Sequence, residues 1–200
     1  MSLRLRATRT AAAAPDRRPE PRPLATLALA ALLTFAAAAT ADGGVDDFWE
    51  YDNPAASEQR FRAALGSGDR NRDLELQTQI ARTYSLRRQF DEAHRILNQV
   101  QPALGDSSPR VRARYLLERG RTLRSAGDKS AAQPLFLQAY EAARSAGETG
   151  LAVDAAHMLA LVTSVDAAAG WTDTGVTLAR ASSDPKARAL LPALLNNHAW

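Results

Sequence analysis

The 200-residue sequence predicts an all-α protein of stacked, antiparallel helical hairpins, and three observations predict it. One pattern occurs twice between residues 73 and 146: at an offset of 39, Ala81 falls on Gly120, Tyr84 on Leu123, Ala93 on Ala132 and Leu97 on Phe136. Self-similarity at a fixed period marks a repeat architecture, in which each unit buries its apolar stripe against the next. Ala and Leu dominate the apolar residues and aromatics are sparse, which suits helices that approach closely through small side chains. Asn53-Pro54, Ser108-Pro109 and Asp184-Pro185 each set a capping side chain beside a proline, a combination that starts helices.

Residues 1–41 have the plan of a leader. An Arg-rich stretch (1–23) precedes an apolar run, Leu24–Ala39, and small residues at Ala39-Thr40-Ala41 offer a cleavage site. Two readings stay open: a secretory signal peptide on an exported protein, or translation from an upstream start codon in a cytoplasmic one. An uncleaved membrane anchor ranks lower, because the run is short and Ala-rich for a span. The leader carries six Arg against Asp16 and Glu20, a net +4 in a chain whose total is +3, so the body carries −1. Basicity confined to the leader gives the body no electrostatic case for nucleic acid. Cysteine is absent, which excludes disulfides, thiolate catalysis and zinc–thiolate sites.

The body, 42–200, opens with a capping helix over about 54–66, whose Phe61, Ala64 and Leu65 share a face. Phe48, Trp49 and Tyr51 are expected to fold back over the first hairpin. The stretch GSGDRNRD (66–73) ends this helix with its glycines and supplies another acidic cap. The first unit (about 73–107) pairs a helix at 73–88, striped by Leu76, Ile80, Ala81 and Tyr84, with one at 91–104. So few residues separate the two that they must run antiparallel. In the second unit (108–148) the stripe holds Val111, Tyr115, Leu116, Gly120 and Leu123, and Gly127-Asp128 makes the turn. Its second helix carries Ala132, Leu135, Phe136, Ala139 and Tyr140, with Pro134 predicting a bend or a late start. The third unit (150–184) starts with an apolar helix at 151–165, and its partner around Gly170–Ser182 is weakly patterned. A partial unit, 185–200, ends at Trp200, with Pro192 expected to kink its helix or move its start. Leu191, Leu194, Leu195 and Trp200 form a stripe to be covered by a further helix, by a second molecule through self-association, or by this helix folding back as a cap.

Small and large residues in this order resemble the tetratricopeptide-repeat family, over roughly residues 54–200. Ala81/Tyr84/Ala93/Leu97 and Gly120/Leu123/Ala132/Phe136 match its packing pattern, as does Phe90-Asp91-Glu92-Ala93 at the turn. The period is 39–40 rather than the usual 34, the leading Trp is missing and Gly105 stands where a closing Pro is common. The chain looks like the longer-repeat variety of bacterial scaffold and regulatory proteins. The resemblance implies a right-handed solenoid of about three and a half helical pairs behind a non-globular leader. It implies a concave face that binds a protein or peptide, with no cofactor and no catalysis.

Along that face an offset of 39 stacks Arg82 on Arg121, Ser85 on Arg124 and Glu75 on Arg114. A column of Arg82, Arg114, Arg121 and Arg124 would recognise carboxylates through forked, charge-assisted hydrogen bonds. The plainer reading is a solvated helix surface whose charge Glu118 and nearby acids offset. Apparent catalytic motifs fail on context. Asp91-Glu92-Ala93-His94 has no strand before it and no phosphate loop elsewhere, Gly66-Ser67-Gly68 lacks a third glycine, and Ser183-x-x-Lys186 reads as a cap with a surface lysine. His94, His157 and His198 are scattered one per unit, without metal-ligand spacing. The expected function is a non-enzymatic interaction scaffold; the alternative is a sensory or regulatory segment of a longer regulator.

Overall fold

Every regular element in the computed structural model, which describes residues 44–198, is helical. The leader and Trp200, and the readings attached to them, lie outside the described residues. A 3₁₀ turn (Val45–Phe48) precedes α1 (Pro54–Ala63), α2 (Arg70–Leu86) and α3 (Phe90–Val100). A second 3₁₀ turn (Gln101–Asp106) leads into α4 (Pro109–Ala126) and α5 (Lys129–Ser145). Then come α6 (Thr149–Ala160), α7 (Val165–Ala181), α8 (Pro185–Ala189) and α9 (Leu191–His198). Among the described residues no helix is long and apolar enough to cross a membrane.

Caps fix where these helices begin. The side chains of Asn53, Asp69, Ser108, Asp128 and Asp184 each accept a hydrogen bond from a backbone N–H in the first turn that follows. With Asp69 as cap, α2 starts at Arg70, three residues ahead of the sequence expectation. Pro102 cannot donate to the ladder, so α3 stops at Val100 and the chain tightens into the 3₁₀ turn rather than running on to 104. The helix expected over 151–165 ends at Ala160, because Val165 already opens α7. At Pro134 the expectation of a late start is corrected: α5 begins at Lys129 and runs unbroken through it. Both Pro134 and Ser130 are exposed, so the carbonyl that loses its partner faces water. Pro192 does interrupt the last segment, falling in the first turn of α9 after α8 ends at Ala189.

Consecutive helices pack on one another, and the alternate helices α2, α4 and α6 also lie side by side. Close approach comes from small residues set against large ones. A Cβ built on Gly120 would sit 2.6 Å from the Phe136 ring, and one on Gly175 would sit 2.7 Å from Leu194. Ala81, Ala93, Leu97, Ala132 and Phe136 are fully buried, while Tyr84 and Leu123 pack half-buried at the margin. Phe48 and Trp49 fold back onto Phe61 of α1, both edge-to-face. Trp171 of α7 meets Tyr140 of α5 edge-to-face at 5.1 Å. The final helix turns inward: Leu194 is buried in a small second core with Val153, Ala179 and Ala187, leaving Leu195 exposed.

Candidate functional site

The shared face of α2, α4 and α6 carries a charge network in two neighbouring clusters, the first closed by the N-terminal turn and by α8. Its centre is Arg114. The guanidinium forks onto Asp46, at 2.8 Å (Nη1–Oδ1) and 3.0 Å (Nη2–Oδ2), and also reaches Glu75 Oε1 at 2.9 Å through Nη2. Arg110, one helical turn earlier, donates to both Glu75 oxygens at 3.2 Å and pairs with Glu148 at the start of α6. Lys186 of α8 brings its Nζ to 2.6 Å from Asp46 Oδ2. A second cluster surrounds Glu118, whose Oε1 accepts from Arg121 at 2.7 Å and from Gln79 at 3.4 Å, with Arg82 at 3.5 Å. Arg121 also pairs with Asp154 of α6.

Burial makes these pairs stronger than surface ones. Arg114 is 4% exposed and Glu118 not at all, so removing a partner from either leaves a buried charge without compensation. Burial pushes the Asp46 carboxyl up, but the charge and hydrogen bonds of Arg114, with those of Lys186, more than reverse it. Asp46 is therefore held far below the usual carboxylate range. The same contest, won by Arg121 and Arg82, lowers Asp154. His157, on α6 beside them, is pushed down by burial, with Asp154 opposing and Arg121 and Arg124 assisting.

The four arginines singled out from the sequence have unequal positions. Arg82, Arg114 and Arg121 are brought onto one face, each against carboxylates of the chain itself. They are neither a free cationic column nor a solvated surface. Arg124 makes no ion pair among the described residues. The Nε of Arg124 and that of Arg82 are buried with no hydrogen-bond partner, as is Glu118 Oε2. The Arg82 guanidinium also lies over the rings of Trp49 (5.2 Å) and Tyr51 (5.8 Å), which stack on each other. A cleft of about 230 Å³ opens between these groups, lined among others by Tyr51, Arg82, Arg110, Arg114, Asp154 and Lys186.

Sequence reasoning missed Asp46, Arg110, Glu148, Asp154 and Lys186. One signal was available: at an offset of 40, Arg114 falls on Asp154, which extends the Glu75–Arg114 column with alternating sign. Asp46 and Lys186 carry no such signal, since they come from segments outside the repeat. Among the described residues no group of three or more His, Asp or Glu is arranged to hold a metal ion. The arrangement presents paired charges, a stacked aromatic pair and two arginine Nε donors without acceptors, groups able to hydrogen-bond carboxylates and carbonyls. No family model, curated protein or solved structure matches this chain.

Proposed function

We propose that the body is a right-handed, tetratricopeptide-like solenoid of about three and a half helical hairpins and works as a non-enzymatic interaction module. A peptide or protein segment binds along the face shared by α2, α4 and α6. The observation that carries this reading is the buried charge network on that face, with the unused Nε donor of Arg82 at an open cleft and a second unused Nε, that of Arg124, one turn beyond Arg121 on α4. Buried arginine donors without acceptors are costly, and an incoming carboxylate or carbonyl satisfies them. Supporting it, the turns after α2 and α4 share their closing bond at the same offset of 39: Gln89 N donates to Tyr84 O at 2.9 Å, and Asp128 N to Leu123 O at 2.9 Å.

The test is cross-linked capture of partners by the full chain and by an Arg82→Glu/Arg124→Glu variant, with helical content and melting checked in parallel. The folded variant is expected to lose the captured partner. Unchanged capture removes this face as the binding surface, and a turnover that depends on a single His or Asp overturns the non-enzymatic reading.

A further inference from the structure

The face proposed above to bind a partner already holds something: the chain's own segment Gly44–Glu50. We infer that this segment is a built-in ligand, and that the external partner is a peptide of the same chemistry, an aspartate set between apolar and aromatic anchors, which binds by displacing it. The inference rests on the groove reading and names its occupant.

Seating of the segment has the character of a bound peptide rather than of a repeat element. Asp46 is gripped by residues 68 and 140 positions away, Arg114 and Lys186. Val45 and Phe48 on either side are 5% and 4% exposed, so both act as buried anchors. Trp49 adds a hydrogen bond from its indole N–H to Gln79 Oε1 of α2 at 3.0 Å. The backbone bonds of the segment stay within its own turn or go to Asn53 and Ser57 at the start of α1. Side chains alone therefore tie it to α2, α4 and α8.

The same contacts dictate what replaces it. When Asp46 leaves, Arg114 keeps Glu75 but loses the carboxylate on its fork, in a position too buried for water to compensate. Only another carboxylate, presented to Nη1 and Nη2 together, restores that geometry. Phe48 and Trp49 vacate apolar space against Phe61, which the partner's own aromatic residues refill. A tethered ligand acts at about millimolar effective concentration, so it weakens every competitor in trans and sets a threshold for binding.

A fluorescent peptide with the sequence of residues 43–52, GGVDDFWEYD, titrated into the full chain by anisotropy, tests the inference. It is expected to bind the Asp46→Asn chain at least about tenfold more tightly than wild type. The same peptide carrying Asp46→Asn is expected to bind neither chain. Equal affinity for the two chains, or indifference to the aspartate in the peptide, overturns it. In case Asp46→Asn unfolds the cap, hydrogen exchange on the wild-type chain provides the second measurement. Excess peptide should deprotect residues 44–50 and leave α2 to α7 protected; unchanged protection of the segment overturns the proposal. A wild-type dimer, by light scattering, that dissociates in Asp46→Asn places the segment in a second copy and overturns the intramolecular seating. Partner capture separates this inference from the groove reading. If capture is lost in Arg82→Glu/Arg124→Glu yet is the same in Asp46→Asn as in wild type, the built-in ligand falls and the groove stands. If capture survives Arg82→Glu/Arg124→Glu, the groove itself falls.

Discussion

The hairpins α2–α3 and α4–α5 make the same shape from different residues. Both turns close with equivalent bonds: Arg88 N donates to Ser85 O and Gly127 N to Arg124 O, each at 3.0 Å. In both, the residue at the corner has positive φ, 61° at Arg88 and 104° at Gly127. Glycine adopts that conformation without penalty, whereas an arginine there costs about 1 kcal/mol. In the second hairpin the helix contact sets Gly120 against Phe136; the equivalent positions of the first hold Ala81 and Leu97, both fully buried, so a smaller residue goes with a larger one. The combined volume at the contact is what the fold constrains, and its division between the two helices is free to vary. Charge is not conserved between equivalent positions: Glu75 in α2 corresponds to Arg114 in α4, and the two bind each other across the helix interface.

That last difference is where a single substitution breaks most. Arg114→Leu leaves Asp46 and Glu75 short of their shared cation in a buried setting, with Arg110 and Lys186 only partly replacing it. A loss of about 3 kcal/mol in urea unfolding is expected. Reversing both charges, Glu75→Arg with Arg114→Glu, should fail to restore stability, because Asp46 would then face a carboxylate. Full recovery in the double variant would mean that the Glu75 pair alone matters. Next comes the packing contact. Gly120→Ala places a methyl against the fully buried Phe136 ring, and a loss of about 2 kcal/mol is expected despite the better helix propensity of alanine. Adding Phe136→Leu, which copies the first hairpin, should recover about 1 kcal/mol relative to the sum of the single changes.

Smaller effects come from the corners. Gly127→Ala should cost about 1 kcal/mol, and Arg88→Gly should be neutral or stabilise by up to about 1 kcal/mol, since it trades unfolded-state entropy for relief of positive φ. If both changes destabilise equally, the two corners are not equivalent, and thermal melts of the pair decide it.

Much of this hairpin architecture was legible because repeats write the same packing rule twice. Gly120 and Phe136 stand out only when they are set against Ala81 and Leu97. Helix ends were less legible, since Pro102 and Pro134 look alike in sequence, yet α3 stops short of the first while α5 runs through the second. The charge network was legible in half. Glu75, Arg82, Arg114 and Arg121 recur at the repeat offset, so a column could be drawn through them. Asp46 and Lys186 complete the site by tertiary folding of non-repeating segments, and no periodicity encodes that. Burial was also invisible: an arginine on the flank of an amphipathic helix reads as solvated until another helix covers it.

The repeat column has a third member that is titratable, and it gives the mildest test. At the offset of 39, Gln79 is followed by Glu118 and then by His157. Burial lowers the His157 pKa below its ordinary 6.5, with Asp154 pulling the other way and Arg121 and Arg124 reinforcing the drop. The folded protein thus holds the imidazole neutral while the unfolded chain takes up a proton as pH falls through 6.5. Unfolding is favoured by that uptake, so stability is full above pH 6.5 and declines below it, until the folded imidazole also titrates. His94, lowered chiefly by burial, adds a decline of the same sign. Asp46 and Asp154, both lowered, contribute stability that is lost only further down, as pH falls below their ordinary value of 3.8. Melting temperature against pH should therefore fall in two stages. His157→Gln should flatten part of the first stage and leave the second intact. An unchanged first stage in both His157→Gln and the double variant with His94→Gln would mean that neither ring is held neutral by the fold. A change confined to His94→Gln would assign the first stage to α3, and α6 would then differ from α4 in geometry as well as in charge.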